Sequence, residues 1–169
     1  MGNMKIKIPF RRERNSVSVV RLDGLIATNR GLNDAGLAPV FEKAFGKKPN
    51  ALALVINSPG GSPVQSSLIG ARIRRLADEK EIPVYAFVED VAASGGYWLA
   101  VSADKIYLDP SSVVGSIGVI SSGFGFNQLI ERYGIERRVH TAGTSKSMLD
   151  PFQRQKDEDV VRLKGLLED

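Results

Sequence analysis

The chain has no cysteine and a single histidine among its 169 residues. The first absence excludes a disulfide scaffold, thiolate catalysis and thiolate metal sites, and it fits a reducing compartment. The second leaves His140 as the sole candidate for any imidazole-based triad or metal ligand, and the scattered carboxylates around it show no metal-ligand spacing. No metal and no cofactor are therefore expected. Long apolar runs are missing too: nothing approaches the ~20 residues of a membrane-spanning helix. Met1 to Phe10 holds lysines but no continuous apolar stretch, so it does not read as a signal peptide, and a cytoplasmic location is expected. Charge of one sign is scarce outside the N-terminus. Lys5, Lys7, Arg11, Arg12 and Arg14 against Glu13 account for the whole net charge of +4, and the remaining 18 basic and 18 acidic residues cancel. Residues 1–15 thus read as a basic arm, able to touch an anionic membrane surface from outside. No aromatic or glycine-rich motif accompanies it, so nucleic acid is not an expected partner.

The remaining chain, 16–169, is long enough for one domain with a substantial core. Val17–Asp23 reads as a strand. Asn33 or Asp34 caps a helix with an apolar face of Leu37, Val40, Phe41 and Phe45, which calls for Pro39 in its first turn. Ala51–Ile56 is an apolar run of the length of a buried strand. Ser62 as N-cap and Pro63 at the first position open a helix that runs to Lys80. Pro83–Val88 predicts a strand, Ser94–Ala103 a helix and Lys105–Leu108 a strand. Further strands are expected at Ile117–Ser121 and Ile135–Thr141, with helices at Phe126–Tyr133 and Phe152–Glu168. Strands alternating with helices imply parallel β/α units, with chemistry at the carboxyl ends of the strands.

Two glycine-rich turns fall at such ends. In Ala92-Ala93-Ser94-Gly95-Gly96-Tyr97 a serine stands on a strand-to-helix turn, where a nucleophile is presented without crowding. The N–H of Gly95 is a natural donor to a developing oxyanion, and Gly60-Gly61 can offer a second bare amide. The base is the discriminating residue. His140 lies in a charged, strand-like segment, with Glu136 and Arg138 on the same face, which reads as solvent. Lys146 differs from the other lysines by its small and apolar neighbours, Ala142 to Leu149. A lysine buried in such a loop loses its proton more readily and can act as a base. Ser102-Ala103-Asp104-Lys105 matches a serine–lysine spacing but straddles a helix end and lacks the companion motifs.

Together with Asn57-Ser58-Pro59-Gly60-Gly61, Gly115-Ser116-Ile117-Gly118-Val119-Ile120 and the Gly143–Lys146 loop, these residues resemble the S49 peptidases, the signal peptide peptidase A and SohB group, over 17–165. The resemblance implies an α/β fold, the spiral of β-β-α units of Clp protease and the crotonases. It implies a serine endopeptidase with a Ser–Lys dyad: Ser94 as nucleophile, Lys146 as general base, Ser116 orienting the lysine amine, and Gly61 and Gly95 in the oxyanion hole. It further implies a homo-oligomer in which Ser94 meets the lysine of a neighbouring copy. The substrates implied are peptides, such as signal-peptide remnants, cut near small or apolar residues. Compared with that group the chain reads as shortened after Asp169, which would affect assembly before it affected the dyad. Two further readings stand beside this one. The first is a crotonase-like acyl-CoA enzyme using Glu89 and Asp90, expected on a loop. The second is an inactive fragment or scaffold.

Overall fold

The computed structural model describes residues 15–143 and 145–168, which fall into two compact units, one ending at Ile117 and one beginning at Gly118. The basic arm lies outside the described residues except for Asn15.

The first unit is a parallel sheet with three helices. In chain order it contains β1 (Val17–Asp23), α1 (Asp34–Gly46), β2 (Ala51–Ser58), α2 (Pro63–Lys80), β3 (Val84–Ala93), α3 (Gly95–Val101), β4 (Lys105–Leu108) and β5 (Val113–Gly115). The strands lie in the order β1-β2-β3-β4, and β5 pairs separately with the end of β3. Alternation explains β1: Val20 and Leu22 face the core, while Val17, Val19 and Arg21 face out. β2 is central and lacks polar residues until Asn57, as a strand with neighbours on both sides should. The fully buried Leu22, Leu52, Leu54, Ile56 and Val84 of the sheet meet Phe41, Phe45, Ile69, Ile73, Leu76 and Leu99 of the helices in one core.

Local signals place the helices. The Asn33 side chain accepts the Gly36 N–H at 2.8 Å, so α1 starts at Asp34. Pro39 is therefore the sixth helical residue and not in the first turn as expected. Its face is exposed, so water can reach the carbonyl group left without its helical donor. α2 runs from Pro63 to Lys80 as the sequence predicts, with Ser62 accepting the Gln65 N–H. Asp104 closes the layer: its carboxylate accepts from the Val84 N–H at 2.7 Å and from Arg74 of α2 at 3.1 Å.

The second unit contains α4 (Asn127–Arg132), α5 (Asp157–Glu168) and turns. Phe126 and Phe152 pack with ring centres 5.6 Å apart, and the Phe126 N–H donates to the Pro151 carbonyl at 2.6 Å. The Arg137 guanidinium lies 4.8 Å from the Phe152 ring centre and pairs at 2.6 Å with the nearly buried Asp150 carboxylate. Two expected strands are absent. Ile117–Ser121 follows Gly115 and Ser116 and includes Gly118, all at positive φ (113°, 54° and 139°), which prevents a continuous ladder. Ile135–Thr141 meets no partner strand among the described residues from 118 onward, and an extended segment without one has no ladder to join. α5 starts at Asp157 and not at Phe152. Asp157, Glu158 and Asp159 favour a helix N-terminus there, while Phe152 is engaged by Phe126 and Arg137.

The start of α1 is tied to α2 by a two-pronged pair, Arg72 Nε to Asp34 Oδ1 at 2.7 Å and Arg72 Nη2 to Oδ2 at 2.8 Å, with both side chains largely covered. The hydrogen bonds from Arg72 hold the Asp34 carboxyl below the usual carboxylate range. A lowered folded value stabilises the protein above the ordinary aspartate range, and that stabilisation is lost as pH falls through the lowered value. Asp34→Asn is therefore expected to cost about 1 kcal/mol at neutral pH. The difference from the wild type should vanish in acid, as measured by urea unfolding at both pH values. A pH-independent difference would contradict it.

Candidate active site

The site begins with a change of strand partner. β3 pairs with β4 through Tyr85–Val88, then leaves it and pairs with β5 as Val91↔Val113, Ala92↔Val114 and Ala93↔Gly115. The register against β2 shifts at the same place: Ile56 faces Val88, yet Ser58 faces Ala92, so three residues of β3 oppose Asn57 alone. Asn57 fills this bulge. Its Oδ1 accepts the Val91 N–H at 3.2 Å and its Nδ2 donates to Asp90 at 3.2 Å.

Ser94 follows directly. Its backbone sits at φ 51°, ψ −119°, a region costly for a residue with a Cβ. Two hydrogen bonds hold it there: its N–H donates to the Gly115 carbonyl at 2.7 Å, and its carbonyl accepts the Trp98 N–H at 3.0 Å. The side chain caps nothing and is half-buried. Strain of this kind at a strand-to-helix turn lifts a hydroxyl clear of the sheet.

The glycines beside it are demanded by packing. A Cβ at Gly95 would overlap Ser66 Oγ of α2, and one at Gly96 would overlap the Ser58 carbonyl oxygen. Two residues without side chains after the serine are thus a consequence of how tightly the start of α3 sits on β2 and α2. Gly95 is buried and is the first residue of α3, so its N–H has no intrahelical acceptor.

The second glycine turn presses on the first. A Cβ at Gly60 (φ 94°) would stand 2.7 Å from the Gly95 nitrogen and 2.9 Å from Ser94 Cβ. Gly61 (φ 143°) is exposed and bridges to Ile26. The Ile26 N–H donates to the Gly60 carbonyl and the Ser62 N–H donates to the Ile26 carbonyl, both at 2.8 Å. In this parallel pattern the bonds come from the residues flanking Gly61, so its own N–H is directed away from Ile26.

Ser116, at φ 54° and exposed, comes directly after Gly115, where the pairing of β5 with β3 ends and whose carbonyl accepts the Ser94 N–H. The first unit thus brings Ser94, Gly95, the Gly60-Gly61 turn and Ser116 to one end of the sheet. Lys146 belongs to the second unit, in the turn Ser145–Leu149. The expectation that its loop buries it is corrected: Lys146 is exposed, because small side chains on a surface turn do not enclose a long one. His140 is exposed, as expected of a solvated residue.

Glu89 and Asp90 lie on β3, not on a loop. Both are occupied, Glu89 with Arg21 and Asp90 with Asn57, so neither is a free carboxylate for acyl-CoA chemistry. Ser102 donates to the Leu99 carbonyl at 2.6 Å as a helix-end residue. Sequence reasoning missed the side chains of Asn57, Ser58 and Ser66, the last two fully buried. The signal available was a polar pair ending an apolar strand, and a serine four residues after the Ser62 cap.

A family model described as Peptidase family S49 matches residues 77–168. The chain is 53% identical over 173 residues to a protein of Brucella melitensis named Na(+)/H(+) antiporter NhaA, which covers 98% of this chain and 24% of that protein. It is 33% identical over 150 residues to the chloroplastic serine protease SPPA of Arabidopsis thaliana, covering 83% of this chain and 22% of that one. The chain therefore spans about a quarter of the length of these relatives. Among the described residues no helix is long and apolar enough to cross a membrane. Solved structures of the 1510-N membrane-bound stomatin-specific protease share its fold. One, in complex with a substrate peptide, is 24% identical, with a TM-score of 0.55 over 68% of this chain and 50% of that one. A second is 22% identical, with a TM-score of 0.54 over 71% and 59%. The α/β fold of the Clp-protease kind expected from the sequence is the one observed.

The strain at Ser94 is measurable without any activity. Ser94→Ala keeps a Cβ in the costly conformation and Ser94→Gly removes it. The glycine variant is expected to be the more stable of the two by about 1 kcal/mol in urea unfolding. An alanine variant of equal or greater stability would show that the turn is relaxed.

Proposed function

The chain belongs to peptidase family S49, and we propose that it is a serine endopeptidase in which Ser94 is the nucleophile and Lys146 the general base. The observation that carries the reading is the strained Ser94 turn, set against the Gly60-Gly61 turn with the first N–H of α3 between them. The neutral Lys146 amine takes the Ser94 proton as the hydroxyl attacks the scissile carbonyl. The oxyanion that forms is met by the N–H groups of Gly61 and Gly95, each such donor being worth about 3–4 kcal/mol in the transition state. Collapse of the tetrahedral species passes the proton to the leaving amine. Water then releases the acyl group from Ser94 by the same steps in reverse. Ser116, next in the chain after the Gly115 that accepts the Ser94 N–H, orients the lysine amine.

A base must lose its proton at working pH, and an amine does so when it is taken out of water. Lys146 is exposed on its own unit, so its role requires covering by another surface. In this reading a second copy of the chain supplies it, with the Ser94 of one protomer facing the lysine of its neighbour. The substrates are extended peptides laid beside the strand ends, cut near small or apolar residues that fit an entrance crowded by backbone.

Ser94→Ala and Lys146→Ala should each lower peptide cleavage by about 10⁴-fold or more in a folded protein. Mixing the two inactive variants should restore cleavage, because one supplies the serine and the other the lysine. Normal turnover by Lys146→Ala would remove the dyad, and failure of the mixture to recover would place both residues in one chain.

A further inference from the structure

The Gly60-Gly61 turn carries two amides. The peptide that bears the Gly61 N–H is held through the Gly60 carbonyl, which accepts the Ile26 N–H at 2.8 Å. The preceding Pro59–Gly60 peptide bears the Gly60 N–H and is free to rotate at a glycine unless that N–H is held. Something must decide which N–H faces the reaction. Ser58, at the end of β2, is the fully buried side chain nearest that choice. Its hydroxyl has one proton, donated to the Gly24 carbonyl at 2.7 Å, and its oxygen accepts the Gly60 N–H at 3.2 Å. The Gly24 N–H in turn donates to the Asn57 carbonyl at 2.9 Å. One hydroxyl therefore joins the end of β1 to the glycine turn and occupies the Gly60 amide. The carbonyl of the same residue lies against Gly96, so Ser58 also touches the helix that starts at the nucleophile turn.

We propose that Ser58 is the positioning residue of the oxyanion site. By holding the Gly60 N–H and anchoring it to Gly24, it fixes the turn so that the Gly61 N–H is the one presented to substrate. This rests on the peptidase reading above. Without the hydroxyl, the N–H of the buried Gly60 would lose its acceptor, a condition the Pro59–Gly60 peptide can relieve by rotating. Misplaced by an ångström, an oxyanion donor loses most of its effect on the transition state while contributing little to binding of the ground-state peptide.

The test uses the full chain, a fluorogenic peptide amide with alanine at the cut, and a peptide boronate with alanine at its reacting end. Ser58→Ala is expected to lower kcat by about 10- to 100-fold with KM within about twofold, and to weaken the boronate by the same factor as kcat. Ser58→Cys, of similar volume and with a weaker donor, should fall between the two. Hydrogen exchange on the wild-type chain needs no folded variant: the Gly60 amide should be protected and the Gly61 amide should exchange freely. Equal exchange at the two glycines would overturn the proposal, as would a folded Ser58→Ala with wild-type kcat or with loss confined to KM. A wild-type chain that neither cleaves the peptide nor binds the boronate would instead defeat the peptidase reading, and the oxyanion role of Ser58 with it. The exchange measurement would still report whether Ser58 holds Gly60.

Discussion

The close approach of two backbone turns is the constraint from which the first unit is organised. Pro59–Gly61 lies against Ala93–Gly95 so closely that a methyl group at Gly60 would stand 2.7 Å from the Gly95 nitrogen. Contact of that kind requires a residue without a side chain at position 60, and it brings the start of a helix, a strained serine and a loop amide within one small volume. Gly96 against the Ser58 carbonyl and Gly95 against Ser66 extend the same packing inward to β2 and α2. The glycines are thus required by packing, whatever else the turns do.

The strain at Ser94 persists because its neighbours fix it from both sides. Gly115 on β5 takes its N–H and Trp98 on α3 takes its carbonyl, so relaxing φ would break both bonds. β5 reaches this place only because β3 changes partner in mid-strand, and it does so at the bulge filled by Asn57. An open parallel sheet commonly places its ligand site where the strand pattern switches. Here the switch consists of one asparagine side chain and a shift in register.

The three side chains of the proposed site differ in what supports them. Ser94 is positioned by bonds within its own unit, and Ser116 follows Gly115, the residue that accepts the Ser94 N–H. Lys146 sits on an exposed turn, in a unit organised by the Arg137–Asp150 pair and the Phe126–Phe152 contact. A base that is exposed alone and buried in an assembly would tie cleavage to association, since covering the amine is what lowers its hold on the proton.

The sequence alone determined the elements whose signals are local. Ser62-Pro63 opened α2 at its observed residue, the apolar run 51–56 marked β2, and the serine before two glycines marked the strand-to-helix turn at Ser94, because caps, fixed φ and side-chain alternation act within a few neighbours. Tertiary structure decided the rest. Ile117–Ser121 and Ile135–Thr141 have the composition of strands, but a strand exists only with a partner and an unbroken run of extended φ. Lys146 has the neighbours of a buried lysine, but burial depends on what packs over it. Ser58 reads as one polar residue in a turn, and only the folded chain gives its hydroxyl Gly24 on one side and Gly60 on the other, since a hydrogen bond across 34 residues is made by the fold and not by the spacing.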